Sequence, residues 1–157
     1  MSPATALERR VVCPDPGATS ALGRALAEAA RAGDLVCLWG DLGAGKTHLA
    51  KAFGAGLGVT ATITSPSFIL MAEYEGRLPL FHIDLYRLAD ASDVLTGGLV
   101  DDRQAAGVTL VEWPDRMRDA LPASRLDVRI DGSGDEQRTI TLRAEGAGYR
   151  RYLEAVP

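Results

Sequence analysis

Gly40-Asp41-Leu42-Gly43-Ala44-Gly45-Lys46-Thr47 satisfies the pattern G-x-x-x-x-G-K-[ST] at every fixed position. Each residue type has a chemical reason to be there. Glycines reach backbone dihedrals that turn successive N–H groups inward, making an anion nest at the positive end of the helix that follows. Asp41, Gly43, Ala44 and Gly45 supply that backbone, and Lys46 carries a charge toward the β- and γ-phosphates of a nucleotide. The Thr47 hydroxyl is expected to coordinate Mg²⁺. The alternative is a glycine-rich turn with a chance lysine, and the flanks argue against it. A short apolar run leads in, and Leu49, Ala50, Phe53 and Leu57 give the exit helix an apolar face.

A phosphate nest does not say how the phosphate is used. An NTPase also needs a carboxylate near the metal and a group that senses the γ-phosphate. Asp84 follows Leu80-Phe81-His82-Ile83 and Glu112 follows Val108 to Val111, so both stand where apolar strands end. Either could hold Mg²⁺ directly or through water, or orient an attacking water; either could equally be a solvated acid closing a strand. Thr64-Ser65-Pro66-Ser67 suits a hydroxyl loop facing the γ-phosphate, or an ordinary proline turn. Trp113 could pack on a base or fill the edge of the core. His48 and His82 are not expected to ligate metal.

These residues need elements to hold them. Asp15-Pro16 suits an N-cap with proline in the first turn, followed by Leu22, Ala25, Leu26, Ala29 and Ala30 at helical spacing and a stop at Gly33. Leu35 to Trp39 predicts a strand buried on both faces, and Lys46 to about Leu57 a helix closed by Gly58. Phe68 to Tyr74 and Leu78 to Ile83 predict a hairpin around Glu75-Gly76-Arg77, with Pro79 at a strand start or edge. A short helix is expected around Asp93 to Leu99, and a buried strand over Val108 to Trp113, ended by Pro114. Leu126, Val128 and Ile130 alternate with polar residues, as do Ile140 and Leu142, giving a second hairpin across Asp131 to Asp135. The order predicts an α/β fold of the P-loop NTPase kind: three layers, with a mixed, centrally parallel sheet and antiparallel hairpin additions.

Length and composition set limits on function. The 157 residues carry 17 basic and 21 acidic side chains, a net charge of −4. A single domain is expected over residues 1–157, with 1–12 and 145–157 as peripheral or tail segments. The acidic balance disfavours a sequence-independent grip on a nucleic-acid backbone, which needs clustered positive charge. Cys13 and Cys37 belong to no CxxC or Cys/His cluster, and no stretch approaches the ~20 apolar residues of a membrane span. The expected location is the cytoplasm.

With these pieces in order, the chain resembles the TsaE family (also called YjeE), bacterial P-loop ATPases required for threonylcarbamoyladenosine modification of tRNA. The resemblance rests on GDLGAGKT at Gly40 to Thr47, TSPSF at Thr64 to Phe68, HIDLYRL at His82 to Leu88 and VEWPDR at Val111 to Arg116. It runs from about Thr19 to Leu142 and is much more specific than one loop motif. It implies an ATP- and Mg²⁺-dependent ATPase in which Lys46 and Thr47 take the Walker A roles. Asp84 would be the Walker B-like acid and Glu112 a second metal-associated acid. Thr64 to Ser67, including Ser65, would form the switch-like loop. Trp113 would be the family's functional tryptophan, with Thr19 and Arg138 near the adenosine. His48 stands where the family usually has threonine, at the start of the helix that meets the phosphates. The resemblance also implies an accessory role to TsaD and TsaB, with tRNA reached only indirectly.

Other readings predict different chemistry. A small-molecule kinase would need an acceptor pocket and a lid with arginines; Arg87, Arg103, Arg116 and Arg118 are available, but no segment has the character of a lid. A GTPase would need an N-K-x-D tetrad, which the chain lacks. A nucleotide-dependent binding module without hydrolysis would share the loop motif.

Overall fold

A computed structural model of the chain describes residues 7–41, 43–64, 71–86 and 102–156. Its centre is a seven-stranded sheet in the order β1-β7-β6-β2-β5-β4-β3. The strands are β1 (Leu7–Cys13), β2 (Leu35–Trp39), β3 (Met71–Tyr74), β4 (Leu80–Asp84), β5 (Val108–Glu112), β6 (Arg125–Asp131) and β7 (Arg138–Glu145). β2 runs parallel to β5 and β6, and β4 parallel to β5. β3, β7 and β1 add antiparallel to β4, β6 and β7 respectively. This is the mixed, centrally parallel sheet that the sequence predicts.

Every residue of β4 and β5 is buried, and so are the three central residues of β2, as strands covered on both faces require. Helices α1 (Pro16–Ala29) and α2 (Lys46–Gly56) cover one face. Leu22, Leu26, Leu49 and Phe53 pack there with Val36, Leu38, Leu110 and Val128. On the other face, Cys37, Ile83, Leu85 and Val111 meet Met117 of a 3-10 turn over Pro114–Ala120. α1 begins as predicted, with the Asp15 carboxylate accepting from the Ala18 N–H at 2.9 Å. The two helices approach closely through glycines: a Cβ at Gly23 would lie 2.7 Å from the Ala52 Cβ, and one at Gly56 2.6 Å from the Ala27 Cβ.

The end segments, expected as peripheral or tail segments, carry regular structure, with β1 as an edge strand of the sheet. β1 pairs with β7 along its whole length, from Leu7 opposite Ala144 to Cys13 opposite Arg138. Its alternation is hidden in the sequence because Arg9 occupies a half-buried position, where its guanidinium donates to the carbonyls of Leu153 (2.9 Å) and Val156 (2.6 Å). At the other end, α3 (Arg150–Glu154) buries Tyr152 and Leu153. The Tyr152 hydroxyl donates to Asp34 at 2.5 Å, the Arg151 guanidinium donates to the same carboxylate, and the Tyr149 hydroxyl accepts from the Leu35 N–H at 2.9 Å. Burial raises the Tyr149 and Tyr152 hydroxyls above their ordinary range, with Asp34 adding to the effect. The C-terminal segment therefore clamps the start of β2.

Smaller differences follow from pairing. Tyr74 pairs with Leu80, so the first hairpin's loop spans 75–79 rather than only Glu75 to Arg77. The helix expected around Asp93 to Leu99, and the start of the strand expected from Phe68, lie outside the described residues. Among the described residues, no helix is long and apolar enough to cross a membrane.

Candidate functional site

β2 carries the chain to the glycine loop, and its last residue is tied down: the Trp39 indole N–H donates to Asp127 of β6 at 2.8 Å. Gly40 then leaves the sheet at φ +152°, where a Cβ would stand 2.8 Å from the Ile130 carbonyl oxygen, so no side chain fits. Gly43 (φ +83°) and Gly45 (φ +106°) have open space around them; their requirement is backbone handedness. The Ala44 N–H donates to the Asp41 carbonyl at 3.0 Å and closes the turn. Gly45 is the N-cap of α2, and no side chain caps the helix. Its first-turn N–H groups therefore face the mouth of the loop, the arrangement that suits an anion.

Lys46 is only 5% exposed, and its ammonium curls back to donate to the Gly40 carbonyl and, at 3.2 Å, to that of Asp41. It also lies 3.9 Å from the centroid of the Trp113 ring. Burial lowers its pKa from the ordinary lysine value, while Glu112, Asp84, Asp41 and Asp115 oppose that shift. Thr47 points its hydroxyl at the Glu112 carboxylate, at 3.3 and 3.4 Å from the two oxygens. Asp84 and Glu112 are register partners on the parallel strands β4 and β5, and both are buried. The Asp84 carboxylate accepts from the Tyr86 N–H at 2.9 Å. Residues far apart in sequence thus meet at the start of α2.

Trp113 has a positive φ of 60°, the one non-glycine residue with this feature among those described. A tryptophan in the left-handed region is strained, and here that turn carries the indole off the end of β5 and over Lys46. Tyr86 packs against its ring at 4.9 Å between centroids, and the Arg116 guanidinium lies 5.5 Å from it.

Beside the glycine loop is a pocket of about 320 Å³, lined by Thr19, Ala44, Gly45, His48 and Arg138 among others. Arg138 donates to the Ala44 carbonyl at 2.9 Å, joining β7 to the loop. His48 Nε2 is 3.0 Å from the Ser20 hydroxyl and 3.1 Å from the Pro16 carbonyl, so it links α2 to the start of α1. Thr64 is exposed, with no hydrogen bond to the loop among the described residues, and Ser65 lies outside them.

One contact escapes the sequence. His82 is fully buried, and its Nε2 lies 2.5 Å from a Glu112 oxygen. The available signal was period-2 alternation: in β4, Leu80, His82 and Asp84 share a face, which puts His82 on the side of the acids. Among the described residues, no group of three or more His, Cys, Asp and Glu side chains could hold a metal alone. Two carboxylates and a hydroxyl do suit Mg²⁺ if substrate phosphates complete its oxygen ligands.

Comparison with known proteins agrees with these motifs. The family model "Threonylcarbamoyl adenosine biosynthesis protein TsaE" matches residues 13–140. The chain is 43% identical over 141 residues to the tRNA threonylcarbamoyladenosine biosynthesis protein TsaE of Bacillus subtilis, covering 89% of this chain and 88% of the relative. The Streptomyces coelicolor protein of the same name is 40% identical, covering 80% of this chain and 89% of its own. The crystal structure of Bacillus subtilis YdiB superposes with a TM-score of 0.76 at 36% identity, covering 98% of this chain and 95% of that one. The chain therefore belongs to the TsaE family, whose role is in tRNA threonylcarbamoyladenosine biosynthesis.

Proposed function

We propose that the protein is a Mg²⁺-dependent ATPase, slow alone, that supports threonylcarbamoyladenosine formation by a TsaD–TsaB pair in the cytoplasm, with tRNA reached only through those partners. The observation that carries this reading is the meeting of Lys46, Thr47, Asp84 and Glu112 at the uncapped start of α2. In this reading the backbone of Asp41, Gly43, Ala44 and Gly45 cradles the phosphates. Lys46 leaves its loop carbonyls and neutralises charge on the β- and γ-phosphates. Thr47, Asp84 and Glu112 would hold Mg²⁺, directly or through water, and the metal would supply charge neutralisation on the phosphates. The pocket bounded by Thr19, His48 and Arg138 has room for the adenosine end. Thr64 and Ser65 would sense the γ-phosphate, and Trp113 would keep Lys46 beside the loop.

The net charge of −4 suits indirect contact with tRNA. The test is release of free phosphate from ATP with and without the TsaD–TsaB pair. Stimulation by the pair is expected. No stimulation and no physical association would overturn the accessory role, and phosphate transfer to a metabolite would favour a small-molecule kinase.

A further inference from the structure

The His82–Glu112 contact has an asymmetry that bears on the acid. Nε2 of His82 is 2.5 Å from a Glu112 oxygen, whereas Nδ1 is buried with no hydrogen-bond partner among the described residues. A buried N–H without an acceptor is the costlier orphan, and a bare nitrogen lone pair the cheaper one. The proton therefore belongs on Nε2, where it is donated to the carboxylate. The partner nitrogen's hydrogen bond decides the tautomer, and among the described residues only one nitrogen has a partner.

The strand register makes this a rigid restraint. His82 pairs with Leu110, and Asp84 pairs with Glu112, so His82 is the diagonal neighbour of Glu112 across two central strands. Glutamate has several rotatable bonds and many rotamers to lose. The histidine is short and walled in by a fully buried strand. With one Glu112 oxygen held by His82, the Thr47 hydroxyl lies across the carboxylate from it, 3.3 Å from the other oxygen and 3.4 Å from the held one.

We propose that His82 is a positioning residue, which donates from Nε2 to Glu112 and so fixes the carboxylate toward Thr47 and the metal site. The inference rests on the reading of Glu112 as a metal-associated acid.

The test compares two amides. A glutamine places its amide nitrogen as many bonds from Cα as imidazole Nε2, whereas asparagine places it where the unpartnered Nδ1 stands. His82→Gln, His82→Asn, Glu112→Gln and the double variant His82→Asn/Glu112→Gln are titrated calorimetrically with ATP at increasing Mg²⁺. Thermal melts without ligand check folding. The expected result is that His82→Asn raises the Mg²⁺ requirement about 10-fold, the scale for losing a partner of a metal ligand, while His82→Gln stays within about twofold of the parent. His82→Asn should add nothing once Glu112 is Gln.

Equal behaviour of the Asn and Gln variants, or an undiminished effect of His82→Asn in the Glu112→Gln background, overturns the proposal. A silent Glu112→Gln removes the metal-acid reading and this inference with it. An impaired Glu112→Gln beside a silent His82→Asn removes the inference alone. Imidazole ¹⁵N shifts of the unsubstituted protein give an answer independent of the variants: a protonated Nε2 and bare Nδ1 are expected, and a protonated Nδ1 overturns the assignment.

Discussion

The Lys46 ammonium sits 3.9 Å from the centre of the Trp113 ring, and Trp113 holds it there from a backbone φ of +60°. The lysine is thus kept at the glycine loop by an aromatic face and two loop carbonyls, so a phosphate that recruited it would have to exchange those contacts for its own.

That exchange should be visible in fluorescence. The chain has two tryptophans, and Trp39→Phe leaves Trp113 as the sole tryptophan, read by excitation that tyrosine does not absorb. MgATP is expected to change the emission of this variant as Lys46 departs from the ring. In Trp39→Phe/Lys46→Ala the same addition should leave emission nearly unchanged, and a full response there would disprove lysine exchange as its source.

Lys46→Ala should weaken ATP-Mg²⁺ binding roughly 10- to 100-fold, the scale for losing a hydrogen bond to a charged group. Calorimetry reads the loss directly. Unchanged affinity would rule out the glycine loop as the phosphate cradle.

The clamp at the start of β2 gives stability a pH dependence. Burial raises Tyr149 and Tyr152 above the ordinary tyrosine value of 10.0. The folded chain therefore keeps phenolic protons after the unfolded chain has lost them, and the stability present below pH 10 falls as pH rises above it. In denaturant melts Tyr152→Phe should show a shallower alkaline decline. At pH 7 it should be about 1.5–3 kcal/mol less stable, through loss of the hydrogen bond to Asp34. An identical alkaline slope in parent and variant would show that this hydroxyl is not the source.

Gly56→Ala should destabilise the chain by about 1–3 kcal/mol, although alanine favours helix. The added Cβ would meet the Ala27 Cβ at 2.6 Å and the Arg24 backbone at 2.9 Å, so α1 and α2 would have to separate. A raised melting temperature would show that the two helices can part without cost.

The glycine loop, the strand runs around it and the cap at Asp15 are legible in the sequence because they are local. Dihedral requirements, burial of short apolar runs and capping chemistry act over a few neighbouring residues. β1 and α3 were hidden for the opposite reason. Arg9 takes a half-buried strand position only because α3, 144 residues away at Leu153, offers it carbonyls. Tyr152 is fully buried in the core, and the partner its hydroxyl needs there, Asp34, is 118 residues distant.

The site divides in the same way. The sequence by itself determined a glycine loop of the G-x-x-x-x-G-K-[ST] pattern, two acids at strand ends and, through four motifs, the TsaE family. Only the tertiary structure decided that β4 and β5 are parallel neighbours in a register that pairs Asp84 with Glu112. It also decided that His82 serves Glu112 and that Trp113 covers Lys46. Side-chain partners of this kind depend on register and on which strand lies beside which, and those are set by packing of the whole sheet against its helices, which no local stretch of sequence encodes.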